Sequence, residues 1–272
     1  MSELPPPTAG PVADTGFAYG RHVPERKDDF AWENDRIGYR LYGPALEVAG
    51  EISSGIDVWV KSVRLPLLDK WYREGKYHKD RGEGGDFYKV GRTTGCGGLA
   101  IWQDGALHFS NNWIAHRVLQ NGPDRVAFEL DYAPWRAGGR TVRETRRITL
   151  EAGSNFNRIE SRFEVDPPGP LAVALGITDR DGAGVVSVDF RSGFLSYWEP
   201  EAPPNGHIAC ALVADPAQIA DVRREQGHHL LIIAVSPGNP LVYFAGAGWS
   251  KGGFPTRESW ETYVAGFAAG RR

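Results

Sequence analysis

The chain has 272 residues, 41% of them hydrophobic, enough to fill the core of one large β domain or two small ones. Its 31 basic and 34 acidic residues leave a net charge of -3, without the basic excess of a nucleic-acid binder. The longest apolar run, Leu230–Val235, is far shorter than the ~20 residues of a membrane helix, so neither nucleic acid nor a membrane is expected as a partner.

Residues 1–18 are rich in Pro, Gly and Ala and are expected to form a disordered head. Met1–Asp14 lacks the apolar stretch of a signal peptide. Residues 19–272 read as a single domain. The first stretch unlike an ordinary strand is Arg21–Arg36, with four basic and five acidic residues around Phe30 and Trp32. It suits either a salt-bridged surface loop or a sugar site. In a sugar site an aromatic ring stacks on the pyranose, and guanidinium and carboxylate groups take its hydroxyls. Pro66–Gly75 reads as a short helix. The second unusual stretch, Lys70–Arg92, holds seven basic and four acidic residues. It brings His78, Asp80, Glu83 and Asp86 close together, with Gly82, Gly84 and Gly85 among them. Those glycines let the backbone bend so that polar groups can converge, and the local positive charge would attract a carboxylated ligand. The plain reading is an ordinary surface loop.

From here alternation takes over. Asp104-Gly105 and Asn121-Gly122 read as tight hairpin turns. Val126, Phe128, Leu130 and Tyr132 alternate with polar or small residues, as do Ile159, Phe163 and Val165, which marks strands with one buried face. Pro167–Pro170 is a turn cluster, and further strands are expected at 171–177, 185–190, 207–213, 229–235 and 241–245. Near the C-terminus, Thr256 can cap a helix whose Trp260, Tyr263, Val264 and Phe267 share one face. These elements predict a mostly β chain: a large antiparallel β-sandwich with a short C-terminal helix. Cys96 and Cys210 are expected as two separate buried thiols, a disulfide being the alternative.

Several motifs fail on inspection. Gly248–Gly252 matches a nucleophile elbow, but no Asp or His follows Ser250. Gly91–Gly98 lacks the ending of a phosphate loop. Adjacent His228 and His229 in a strand must point to opposite faces. Asp179–Gly182 resembles the start of a calcium loop without its closing Glu, and is read as a turn. His78 with Asp80 and Asp86 could hold a divalent metal. Plain acid–base use of the same groups ranks first, so no metal ligand and no cofactor is assigned.

The segments ERKDDFAWENDRIGYRLYGPAL (Glu25–Leu46), YHKDRGEGGDFYKVGRTTGCGG (Tyr77–Gly98), NGPDRVAFELDYAPW (Asn121–Trp135) and AGAGWSKGGFP (Ala245–Pro255) together resemble the bacterial family catalogued as domain of unknown function 4861. The resemblance runs from about Gly20 to the end. It implies a galactose-mutarotase-like sandwich, encoded beside enzymes that degrade pectin, ulvan and other uronic-acid polysaccharides. It also implies a periplasmic or secreted location. No signal peptide is visible, which leaves a cytoplasmic location open. The family supplies no established catalytic set.

The expected function is that of a lyase or dehydratase on uronic-acid-containing oligosaccharides. Such an enzyme must neutralise the substrate carboxylate, remove the C5 proton and expel the group at C4. Candidate catalytic residues are His78 as base, Tyr88 as acid or second base with Lys89 or Arg92 lowering its pKa, and Glu83 and Asp86 as groups that orient His78 or the sugar. Candidate substrate-binding residues are Arg26, Lys27, Trp32, Glu33, Asn34, Arg36, Arg92, Trp249 and Lys251. The alternatives are an aldose epimerase using His116 or His108, a non-catalytic sugar-binding module, and a two-carboxylate hydrolase.

Overall fold

A computed structural model describes residues 16–179, 182–236 and 238–271. Among them, long alternating segments form an eight-stranded antiparallel sheet. Its central hairpins are β8 (Trp113–Asn121), β9 (Arg125–Ala137), β10 (Arg140–Glu151) and β11 (Phe156–Asp166). The sheet is completed by β13 (Val185–Asp189), β14 (Phe194–Trp198), β15 (Ile208–Ala214) and β18 (Leu241–Trp249). Two five-stranded sheets lie over it. One contains β6 (Cys96–Gln103), β7 (Ala106–His108), β12 (Leu171–Thr178), β16 (Ile219–Glu225) and β17 (His228–Val235). The other, the N-terminal sheet, contains β1 (Ala18–Val23), β2 (Asp29–Asn34), β3 (Ile37–Leu41), β4 (Asp57–Lys61) and β5 (Gly84–Asp86). A parallel bridge between Ile56 and Gly95 joins the two smaller sheets.

All three sheets share one core. Phe30 and Trp32 of β2 meet Phe128 of β9, and Leu99, Val173 and Leu212 continue it on the far side. Period-2 alternation therefore sorts β9–β11 as expected. Each buried aliphatic or aromatic side chain stabilises by about 1.5–3 kcal/mol, so this core dominates the fold. After the short helices α1 (Pro44–Val48) and α2 (Leu68–Glu74), the C-terminal helix, α3 (Arg257–Ala269), packs Trp260, Val264 and Ala268 on the outer face of the large sheet. Thr256 and Ser259 close a reciprocal capping box at its start.

Two regions depart from the sequence reading. Arg21–Arg36 is not a loop: it is the β1–β2 hairpin, with a 3-10 turn at Pro24–Arg26. Ala18, the last residue assigned to the head, is the first residue of β1. Residues 1–15 of that head lie outside the described residues, as do Arg180 and Asp181 of the calcium-loop lookalike. Cys96 and Cys210 are both buried free thiols. No helix among the described residues is long and apolar enough to cross a membrane.

Candidate functional site

The N-terminal sheet is buried on both faces. Its inner residues, Phe30, Trp32, Tyr39, Val58 and Val60, enter the shared core. Its outer face is covered by α2 (Leu68–Glu74) and the segment that follows, with Trp59 packed against Leu67, Trp71 and Tyr77. Alternation places Asp29, Arg40, Asp57 and Asp86 on that covered face. Register pairs Arg40 with Asp57 and Trp59 with Asp86.

These four residues form a charge cluster. The Arg40 guanidinium is only 4% exposed. It donates from Nε and Nη2 to Asp57 Oδ2 at 3.0 and 2.6 Å, and from Nη2 to Asp86 Oδ2 at 3.2 Å. Asp29 Oδ2 lies 3.7 Å from Nη1. The Tyr42 and Trp59 rings flank the guanidinium at 5.1 and 5.2 Å. One buried cation cannot balance three buried carboxylates, so burial pushes each acid toward its neutral form. Asp29 is pushed up to about 7, with Arg40 and Arg26 pulling against the shift. Burial raises Asp86 well above the usual carboxylate range, and the charge of Asp57 adds to it. Burial also raises Asp57 against the pull of Arg40. Burial opposes the Arg40 charge, but Asp57, Asp86 and Asp29 outweigh it and keep the guanidinium charged.

Above the cluster opens a cleft of about 440 Å³, lined by His78, Arg26, Lys89, Tyr42, Asn205 and the rims of Arg40 and Asp86. The His78 side chain is 68% exposed, and its ring packs on Tyr77 at 4.6 Å. Its Nδ1 lies 3.3 Å from the Asp86 carbonyl oxygen and 3.5 Å from Asp86 Oδ2. The carbonyl oxygen can only accept, which assigns the proton to Nδ1 and leaves the Nε2 lone pair facing outward. Arg26 lies near Tyr77 beside the cleft, and Tyr77 and Asp29 favour its charged form. It ends a turn whose next residues, Lys27 and Asp28, both adopt left-handed backbone at φ 52° and 62°. That conformation costs non-glycine residues about 1–2 kcal/mol each. Lys89 makes no hydrogen bond or ion pair with another described residue. Burial raises the Tyr42 hydroxyl to about 12 against the pull of Arg40, so it stays protonated near neutral pH.

His78, Asp86, Tyr88, Lys89 and Arg26 of the expected set therefore line one cleft. Other expected residues do not. Trp32 is a core residue with no exposure, its Nε1 donating to Asn157 Oδ1 at 2.8 Å, so it offers no stacking platform. Trp249 is likewise buried and donates to the Asn205 carbonyl at 2.7 Å. Glu33 accepts from Lys61 Nζ at 2.6 Å and from the amides of Leu67 and Leu68 at 2.8 and 2.9 Å, which pins the start of α2. Asn34 accepts from the amides of Arg36 and Ile37 and shapes the β2–β3 turn. Tyr88 lines the cleft, but its hydroxyl is buried against Cys210 and offers no acid there. Glu83 pairs with Lys70, not with His78. Lys27 faces Glu51, Arg36 pairs with Asp35, and Lys251 bonds Asp80 and the Pro204 carbonyl. Arg92 lines a neighbouring depression. Asp80 spends Oδ1 on the amides of Gly82 and Gly84, and among the described residues no three His, Cys, Asp or Glu side chains converge as a metal-ligand set.

The sequence reading missed Arg40, Asp57, Tyr42 and Asn205. Alternation in Ile37–Tyr42 could have placed Arg40 on the face opposite Tyr39. Nothing local marks Asn205, which reaches the cleft from a distant loop.

The family described as Domain of unknown function (DUF4861) matches residues 12–270. The chain belongs to that family. A relative, "Uncharacterized protein P7" of Formosa agariphila, is 34% identical over 275 residues, covering 94% of this chain and 68% of its own length. Among solved structures, the GH36 alpha-galactosidase AgaB of Geobacillus stearothermophilus aligns with 84% of the chain at 10% identity and a TM-score of 0.39. The galactosidase domain of the alpha-galactosidase-sucrose kinase AgaSK aligns with 85% of the chain at 9% identity and the same TM-score. The chain spans 41% and 42% of those two structures, and at such scores the likeness says nothing about activity.

Proposed function

We propose that the His78 cleft carries out β-elimination on a uronic acid within an oligosaccharide, as a lyase or a dehydratase. The observation that carries the proposal is the pairing of an exposed imidazole, oriented by buried Asp86, with two cations in the same cleft, Arg26 and Lys89. An exposed His alone is commonplace. An exposed His whose inner nitrogen is held by the carbonyl of a buried residue has the base-and-orienter geometry of general base catalysis.

Each group takes one task. Arg26 and Lys89 neutralise the substrate carboxylate, which acidifies the adjacent C5–H. His78 Nε2 removes that proton. The electron pair forms the C4=C5 double bond as the C4–O bond breaks. Tyr42, protonated near neutral pH and at the same cleft, donates a proton to the departing oxygen. The new imidazolium keeps its Nδ1–H on the Asp86 carbonyl oxygen, 3.3 Å away. In this reading Tyr42 takes the part that the sequence suggested for Tyr88.

The test is product analysis. The protein is incubated with glucuronate- and galacturonate-containing oligosaccharides, and products are followed by mass and by the ultraviolet absorbance of an unsaturated uronate. Loss of one water indicates a dehydratase, and two shorter sugars, one unsaturated, indicate a chain-cleaving lyase. Unchanged masses and a flat absorbance trace across the panel overturn the proposal.

A further inference from the structure

The His78 cleft does not end at Tyr42. A second depression of about 280 Å³ shares Tyr42 and Gly91 with it and continues past Gly50, Glu51 and Ile52 to Arg92. Tyr42 is half-buried between the two. Gly50 and Gly91 both have left-handed backbone, at φ 87° and 56°, and a Cβ built on either meets nothing within 4 Å. Backbone that lines a depression with no side chain above it leaves room for a ligand to lie close.

The charges divide in the same way. Each depression holds one cation, Lys89 in the first and Arg92 in the second, that makes no hydrogen bond or ion pair with another described residue. The one carboxylate in the second depression, Glu51, is paired with Lys27 at 3.6 Å. A single uronate needs one clamp for its carboxylate, and the first depression already supplies it. A planar guanidinium with all its donors uncommitted suits a second carboxylate, which it can grip with two parallel hydrogen bonds.

We propose that the depression around Arg92 is a second sugar subsite, which takes the carboxylate of the uronate next to the one processed at His78. The substrate is then an acidic oligosaccharide with uronates on adjacent residues, lying across Tyr42. This inference rests on the reading of the His78 cleft as a uronate site.

Calorimetric binding separates the two. Galacturonic acid and its linear trimer are titrated into the full chain as wild type, Arg92→Ala, Arg92→Lys and Lys89→Ala. The readout is the ratio of trimer to monomer affinity within each variant, which cancels differences in the active fraction. The expected ratio is about tenfold or more in the wild type. It should fall to about twofold or less in Arg92→Ala, and recover in part in Arg92→Lys. Lys89→Ala should weaken both ligands and keep the ratio. A wild type that binds the monomer with no gain from chain length overturns the subsite alone. So does an Arg92→Ala ratio equal to that of the wild type. A panel in which neither sugar binds the wild type overturns the uronate reading of the cleft and the subsite with it.

Discussion

Replacing Asp29 by Asn tests the charge cluster beneath the cleft. Asp29 is buried among Arg40, Asp57 and Asp86, and burial moves it from an ordinary 3.8 up to about 7. A carboxyl whose pKa rises on folding makes the native state bind more protons than the unfolded chain. Its contribution to stability is therefore complete below the unfolded value and lost as pH rises through the folded one. Each pH unit in that window is worth about 1.4 kcal/mol, so the loss between pH 4 and 7 is capped near 4 kcal/mol. Relaxation and the remaining carboxyl groups, which can share the proton, reduce it to about 1–3 kcal/mol. Asn keeps the shape and never ionises. Urea unfolding of wild type and Asp29→Asn at pH 5, 6, 7, 8 and 9 should show the variant gaining on the wild type as pH rises, then levelling off above pH 8. A difference that stays constant, or a wild type that gains on the variant with rising pH, would mean that Asp29 is ionised and held by Arg40 throughout, and would refute the account of the cluster.

Three other substitutions follow from the same geometry. Arg40→Met removes the buried counterion of three buried carboxyls and should cost about 3–5 kcal/mol at pH 8. The cost should be less at pH 5, where the acids can be neutral, as read from urea midpoints at both values. Trp32→Ala should cost about 3–5 kcal/mol by leaving a cavity in the core, whereas a stacking residue at the surface would lose ligand affinity with little change in unfolding. Tyr42→Phe should keep the melting temperature within a few degrees and lower the elimination rate by about 10–100-fold. The loss should shrink for a substrate with a better leaving group at C4.

How much of this was legible in the sequence follows from what each signal encodes. Val126, Phe128 and Leu130 carry the period of a half-buried strand, and the large sheet is where that period places it. Thr256 and the Trp260 stripe likewise announce α3 through capping and amphipathicity. The N-terminal sheet hid because its polar face is buried too. Asp29, Glu33, Arg40 and Asp57 read as groups in water, and only the cover of α2 and the segment after it reveals them as interior. Phe30 and Trp32 alternate with Asp29, Ala31 and Glu33, so the hairpin was visible in principle, but the charge density outweighed that signal. The partners of Arg40 are set by strand register across 17 and 46 residues, which no local pattern encodes. His78 and Asp86 were found together because a glycine-rich segment brings them near in sequence as well as in space.

The most direct test of the central claim compares wild type and His78→Ala side by side on an oligouronate, following the absorbance of the C4=C5 product. His78 is mostly exposed, so its removal should leave the unfolding midpoint nearly unchanged. The account predicts a steady rise in absorbance for the wild type and a rate at least about a hundredfold lower for the variant. A variant that forms the unsaturated product as fast as the wild type would place the base elsewhere and contradict the account.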